Sequence, residues 1–346
     1  MRRDDRDRGG MVSPSRREFL GALAGALALG RETLATQSPG PFGIPLRPLG
    51  RSGASVSIVG YGGWDCVIGD GEAECIGRLH EAIDLGITFM DNAWEYHDGR
   101  AEELMGKALA APGKRDQVFL MTKVCARDYE GVKRQLEDSL RRLRTDRVDL
   151  LQFHAIQYAD DPERVFDPER GGMKAALEAK KAGKVRFFGF SGHRAPETHL
   201  RMIGMHPWDS VQMPLNLLDA QYRSFEKAVL PVCREKGIGA LGMKSLAGQD
   251  ARLPRELKID WELCRRYAMS LPVATTICGM QNREEMRGMA RIARGFTPLT
   301  APDVERLLGV AKESAQDGHI EEYKDPKSGY GCSYQDAVLK VEARGR

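Results

Sequence analysis

Eight times in succession along this chain, a short apolar run is followed by a longer stretch whose apolar residues recur at helical spacing, a pattern that leaves few folds open. The runs at 58–60, 88–90, 118–121, 148–153, 185–190, 210–213, 238–243 and 273–277 read as strands. The stretches at 74–85, 101–110, 129–143, 173–182, 196–203, 225–236, 259–269 and 282–293 read as the helices that follow them. A parallel strand buried on both faces needs its crossover helix as cover. Eight units in a row therefore favour a closed α/β (β/α)8 TIM barrel over an open sheet. Ahead of the first unit, two short strands around Gly50 and Gly53 read as an N-terminal β-hairpin that plugs the lower end. Beyond the eighth, 302–316 reads as an extra C-terminal helix. The expected organisation is a leader at 1–35, a linker at 36–45, the barrel at 46–316 and a partly ordered tail at 317–346.

The formal charge is +3, of which the leader carries +2 from seven Arg against five Asp and Glu. The remainder offers no basic field for nucleic acid. No apolar run after residue 40 approaches the roughly 20 residues of a membrane span, so no transmembrane domain is expected in the mature protein. The leader runs Ser15-Arg16-Arg17-Glu18-Phe19-Leu20, then an apolar small-residue stretch at 21–29, then Thr33-Leu34-Ala35 as a cleavage site. It resembles a bacterial twin-arginine signal. That resemblance implies the twin-arginine translocation machinery as a partner and a periplasmic or other extracytoplasmic location, or a cytoplasmic one if the signal is not used. The seven cysteines (66, 75, 125, 233, 264, 278 and 332) contain no CxxC pair, so no metal or iron–sulfur site is expected. Their odd number and wide spacing favour buried free thiols, and no bridge is assigned.

Barrel active sites form at the C-terminal ends of the strands. Asp91, Lys123 and His154 end the second, third and fourth strands, and Tyr96 follows Asp91 by five residues. Hydride transfer to a carbonyl places charge on its oxygen, which calls for a proton or strong hydrogen bond there. Tyr96 is the candidate donor. A free phenol, with a pKa of about 10, is a poor acid near neutrality, and a Lys123 ammonium held by Asp91 is expected to lower it. His154 is the candidate group that orients the carbonyl.

Order and position make this set similar to the aldo-keto reductases. The stretches carrying the resemblance are Asp91-Asn92-Ala93-Trp94-Glu95-Tyr96, Glu102-Glu103-Leu104-Met105-Gly106-Lys107-Ala108-Leu109, Phe119-Leu120-Met121-Thr122-Lys123 and Asp149-Leu150-Leu151-Gln152-Phe153-His154. The similarity spans about 46–294. It implies an NAD(P)H-dependent reductase of a small-molecule carbonyl, with NADP as the family's usual cofactor and NAD possible. It places Gly63 and Trp64 beside the nicotinamide, with Ser191 and Gln212 on its carboxamide. Asn216, Lys244, Ser245 and Leu246 would line the cofactor groove, and Gly279, Gln281, Asn282 and Glu285 would meet the adenosine end.

Several positions depart from the family's pattern. Ser191-Gly192-His193 stands where Ser-Asn is common, Leu215 where an aromatic ring stacks, Gln281 where a basic residue marks a 2′-phosphate, and Met289 where Asn is common. Arg283 is the only cation near that loop in the sequence. Two other readings stay open: a nicotinamide-binding sensor of the same fold with negligible turnover, and a barrel hydrolase or lyase that needs no nicotinamide. The substrate loops at 66–71, 127–130 and 155–172 and the tail carry no readable motif. Trp64, Trp94 and Tyr158 are candidates for an aromatic wall.

Overall fold

The computed structural model describes residues 40, 42–69, 71–248, 250–328 and 330–344. The leader, with Arg16 and Arg17, lies outside them. Strands β1 (Leu46–Pro48) and β2 (Ser55–Ser57) pair antiparallel as the expected hairpin. The barrel strands are β3 (Val59–Gly62), β4 (Phe89–Asp91), β5 (Phe119–Val124), β6 (Val148–Phe153), β7 (Val185–Ser191), β8 (Ser210–Pro214), β9 (Gly239–Met243) and β10 (Thr275–Cys278). They run parallel in sequence order, and β10 closes on β3.

Side chains alternate along each strand, so one set points into the barrel and the other out to the helices. The inner set at the lower end is apolar: Phe89, Met121, Leu150, Leu241 and Ile277 cluster with Leu49 and Val56 of the hairpin. The hairpin thus caps the bottom. Gly50, at φ +53°, brings its backbone against Gly237 and Gly239 where any Cβ would collide, and Arg51 N–H donates to the Gly237 carbonyl at 2.8 Å. Buried Arg47 donates to the carbonyls of Val273 and Met269 at 3.0 and 2.9 Å, tying the hairpin to the segment that enters β10.

Two helical details differ from the expectation. The stretch 225–236 is two helices, Phe225–Ala228 and Leu230–Glu235, because Pro231 has no N–H to continue the first and instead starts the second. The segment after residue 316 is folded through a short 3-10 turn, Glu322–Lys324, and a helix, Ser333–Arg344. It is anchored by Tyr323 and Lys324, both buried, and by Trp94, whose ring meets Tyr334 edge-on at 5.6 Å. Tyr158 donates to Asp336 in the same contact region. Trp94 and Tyr158 therefore hold the tail.

The cysteine expectation is corrected at one pair. Cys66, in the 3-10 turn Gly63–Val67, faces Cys75 in the first turns of helix Glu72–Asp84, with Cα atoms 5.7 Å apart, and the two form a disulfide. The turn folds back on the helix, which nine residues of sequence separation did not reveal. The other five cysteines are buried free thiols.

Candidate active site

On β4, β5 and β6 the inward series ends in a polar residue at the top. On β4 it runs Phe89, Asp91; on β5, Phe119, Met121, Lys123; on β6, Leu150, Gln152 and then His154. Asp91 sits opposite Met121 in the register, so Lys123, two residues further along β5, rises on the same inner face. Its ammonium is ion-paired with Asp91 and donates to the Asn92 carbonyl at 2.9 Å and to Tyr96 Oη at 3.0 Å. Tyr96 begins a short 3-10 turn in the loop after β4. Its ring meets that of His154 at 5.6 Å and that of Trp64 at 5.2 Å, both edge-on. The four residues singled out from the sequence are thus neighbours.

The electrostatics run opposite to the expectation for Tyr96. Burial and then the Asp91 and Glu95 carboxylates push its phenol well above its ordinary value. Asp91 offsets the lysine charge that was expected to lower it, and burial pulls the Lys123 ammonium down despite Asp91. Tyr96 is held as a protonated phenol. His154 Nδ1 stands 2.9 Å from Glu95 Oε1. Burial opposes a charge on the ring, but hydrogen bonds to Cys332 and Glu95 outweigh it and raise the imidazole's pKa. Glu95 is correspondingly held at about 2 against the burial that would raise it, chiefly by its bond to His154.

Above this set lies a cleft of about 1110 Å³, lined by Asp91, Tyr96, Lys123 and His154. Trp64, Ser191, Gln212, Lys244, Ser245, Leu246, Gly279, Gln281 and Glu285 line it too. Three other residues assigned to the cofactor lie elsewhere. Gly63 packs against the Asp91 carbonyl behind the wall. Asn216 is fully buried, its amide donating to Lys244 O, Glu321 and Tyr323 Oη, so it braces the tail rather than lining the groove. Asn282 caps helix Arg283–Arg294 by accepting from Glu285 N–H.

The departures have local causes. A Cβ at Gly192 would strike the Ile156 carbonyl and the His199 ring, so only glycine fits. His193 is buried, with Nδ1 3.0 Å from the Tyr323 carbonyl, and burial lowers its pKa well below the ordinary value. Leu215 is entirely within the core and does not line the cleft. The aromatic face comes instead from the tail: Tyr330 lines the cleft, its hydroxyl 3.2 Å from Lys244 Nζ and its ring 4.4 Å from that atom. Arg283 is committed to Glu74 and Glu81. Besides Lys123, the cleft's Lys and Arg side chains are Lys244, Arg255 and Arg265.

Among the described residues, three buried polar side chains on the cleft have unpartnered atoms: Gln212 at Oε1, Asp65 at Oδ1 and Arg265 at both Nε and Nη1. Arg265 Nη2 donates to the Gly279 carbonyl at 2.9 Å, which fixes the guanidinium at the wall. An amide-bearing ring at Gln212 and an anionic group at Arg265 would give Gln212 Oε1 and the guanidinium the partners they lack, since buried polar groups are costly when unpaired, whereas Asp65 Oδ1 calls for a donor. The residues present fit a nicotinamide nucleotide.

Sequence reasoning missed Glu95, Cys125, Cys332, Tyr330 and Arg265. Cys125 continues the inward series two residues past Lys123, a signal the strand period carried. Cys332 and Tyr330 had none, because their place depends on how the tail folds back.

Barrel, cleft and the Lys123-centred set together define the class: a (β/α)8 barrel whose polar site sits at the C-terminal ends of its strands. Residues 59–253 match the aldo/keto reductase family model, and the chain belongs to that family. It is 33% identical over 210 residues to the aldo-keto reductase YhdN of Bacillus subtilis, covering 56% of this chain and 60% of that protein. It is 29% identical over 215 residues to an L-galactose dehydrogenase of Arabidopsis thaliana, covering 59% and 66%. The matched stretch thus spans less than two thirds of either relative. Among solved structures, the holo form of an aldo-keto reductase from Bacillus halodurans superposes with a TM-score of 0.65 at 26% identity, over 79% of this chain and all of that one.

Proposed function

We propose that this protein reduces an aldehyde, ketone or sugar-like carbonyl with NADP(H), NAD(H) being the competing cofactor. The observation that carries the reading is Lys123 Nζ bridging Asp91 and Tyr96 Oη at the floor of the cleft. When bound, the nicotinamide supplies or accepts a hydride. Gln212 and Ser191 hold its carboxamide, and Gln212 Oε1 gains the donor it lacks. Arg265 takes an anionic group of the nucleotide. Tyr96, kept as a phenol, delivers its proton to the carbonyl oxygen as charge builds there, and Lys123 stabilises the phenolate left behind. His154, with Nδ1 turned to Glu95, has Nε2 available for the same oxygen. The name of the Arabidopsis relative puts a sugar among the first substrates to try.

The test mixes the purified protein with NADPH or NADH and a panel of aldehydes, ketones and aldoses. Substrate-dependent loss of nicotinamide absorbance, abolished in Tyr96→Phe, is expected. Nucleotide binding without turnover across the panel would favour the sensor reading, and turnover that survives Tyr96→Phe would overturn the tyrosine assignment.

We also propose export through the twin-arginine route, on the strength of Arg16-Arg17, Phe19-Leu20 and the apolar run that follows. A folded protein can leave the cytoplasm with its nucleotide already bound. Arg16→Lys with Arg17→Lys should trap the protein in the cytoplasm; unchanged fractionation rejects the proposal.

A further inference from the structure

Four potential metal ligands meet beside the Tyr96 set: Glu95, Cys125, His154 and Cys332, whose donor atoms all lie within 4.8 Å of one another. They come from well-separated parts of the chain. Glu95 belongs to the loop after β4, while Cys125 and His154 directly follow β5 and β6. Cys332 comes from the tail, one residue before helix Ser333–Arg344. Donors at ~2.0 to 2.3 Å from a shared tetrahedral ion stand about 3.3 to 3.8 Å apart. Cys125 Sγ and His154 Nδ1 are 3.6 Å apart already, and His154 Nδ1 and Glu95 Oε1, at 2.9 Å, need to separate only slightly.

We propose that Glu95, Cys125, His154 and Cys332 form a zinc(II) site that fastens the C-terminal tail to the top of the barrel. Two thiolates, an imidazole and a carboxylate are all zinc ligands, and the carboxylate counts against copper(I), which prefers sulfur. Four protein donors complete a tetrahedron, so the ion's role is structural, with no position left for water or substrate.

The surroundings are organised as a metal site requires. Arg127, ion-paired with Asp161 at 2.8 Å, donates to the carbonyls of Cys125 and His154, both at 2.8 Å, and so fixes two ligand-bearing strand ends relative to each other. Gln335, on the tail helix, donates to the same Cys125 carbonyl, and Ser333 Oγ reaches Glu95 Oε2 at 3.3 Å. Cys125 and Cys332 are buried, whereas Glu95 and His154 line the cleft, which gives the ion a way in. Binding displaces protons from the thiols and from Nδ1, with no change of oxidation state. A metal on Nδ1 leaves the proton of His154 on Nε2, the nitrogen the proposed reductase chemistry uses; the site itself does not depend on that chemistry.

The experiment titrates the reduced full-length protein with zinc chloride and, in parallel, with cobalt(II) chloride, whose spectrum reports thiolate ligands and tetrahedral geometry. One equivalent per chain with thiolate-to-cobalt absorption is expected, lost in Cys332→Ser and weakened at least tenfold in Glu95→Gln. Cys233→Ser, at a buried thiol outside the cluster, should bind like wild type. Zinc should also slow tryptic release of the tail in wild type and not in Cys332→Ser. Circular dichroism monitors folding of each variant; if Cys332→Ser does not fold, Glu95→Gln and Cys125→Ser carry the test. No stoichiometric uptake by the wild type overturns the proposal. So does uptake undiminished in both cysteine variants, or isolation of the protein with Cys125 and Cys332 joined as a disulfide. All these readouts are independent of turnover, so failure of the reductase reading leaves them interpretable.

Discussion

Lys123 Nζ donates to Tyr96 Oη at 3.0 Å while its charge is taken by Asp91, so one buried ammonium serves both the fold and the proposed acid. Lys123→Met separates the two roles. Turnover should fall about 10²- to 10⁴-fold, as when a general acid loses its support. The unpaired Asp91 carboxylate should also cost about 3 to 5 kcal/mol of stability. Adding Asp91→Asn should restore much of the urea midpoint and none of the activity. Recovery of both together would show that Lys123 acts only through the fold.

Arg265 faces the cleft with Nε and Nη1 unpartnered, whereas Arg283 is held by Glu74 and Glu81. Arg265→Ala should weaken nucleotide binding about 10- to 100-fold, the effect of losing charge-assisted hydrogen bonds of about 1.5 to 3 kcal/mol. Arg283→Ala should leave it within about twofold. Fluorescence titration with NADPH and NADH reads both variants. A larger loss for NADPH than for NADH in Arg265→Ala would assign the guanidinium to the 2′-phosphate, and equal losses would assign it to the pyrophosphate.

The meeting of Asp91, Tyr96, Lys123 and His154 was legible because strand period and barrel architecture locate strand ends without knowledge of packing. Asp91 and Lys123 each extend an inward apolar series, His154 follows Leu150 and Gln152 in the same period, and polar residues there have few structural reasons to exist. What was not legible depended on long-range return of the chain. Tyr330 and Cys332 sit in a tail without periodicity, and they reach the site, Tyr330 on the cleft and Cys332 buried beside it, only because Tyr323, Lys324 and Tyr334 find partners some 100 to 240 residues earlier: Asn216, Asp219 and Trp94. Arg265 lies on helix Trp261–Ser270, where a single Arg reads as a solvated charge; only the turn of that helix toward Gly279 buries it. Leu215 was misread for the reverse reason. A residue just past a strand end was expected to face the ligand, but β8 ends with Leu215 turned into the core.

Lys324 is entirely buried between Asp219 and Glu321, at 2.7 and 2.9 Å, and also donates to the Tyr222 carbonyl at 2.7 Å. Lys324→Met leaves two carboxylates facing each other without a cation, and a loss of about 3 to 5 kcal/mol is expected. The tail is the element that should loosen first, since Glu321 and Tyr323 share Asn216 as a partner. Hydrogen exchange should therefore rise at 317–344 before it rises in the barrel strands. Uniform loss of protection across barrel and tail would count against a local anchor.

Glu226 gives the pH dependence. Burial, with a further push from Asp219, raises its carboxyl from 4.5 to about 7, although the Tyr267 hydroxyl donates to it at 2.8 Å. Between those two values the folded protein keeps a proton that the unfolded chain has released, so stability falls as pH rises through the window and is flat in this group's contribution above it. The full effect is at most about 3 kcal/mol, at about 1.4 kcal/mol per pH unit. Glu226→Gln removes the titration and retains an oxygen to accept from Tyr267. Urea midpoints measured from pH 5 to pH 8 should decline in the wild type relative to the variant, with the two curves drawing together toward the acid end. If the wild type and the Glu226→Gln variant keep a constant separation across that range, the Glu226 carboxyl is not the group that titrates.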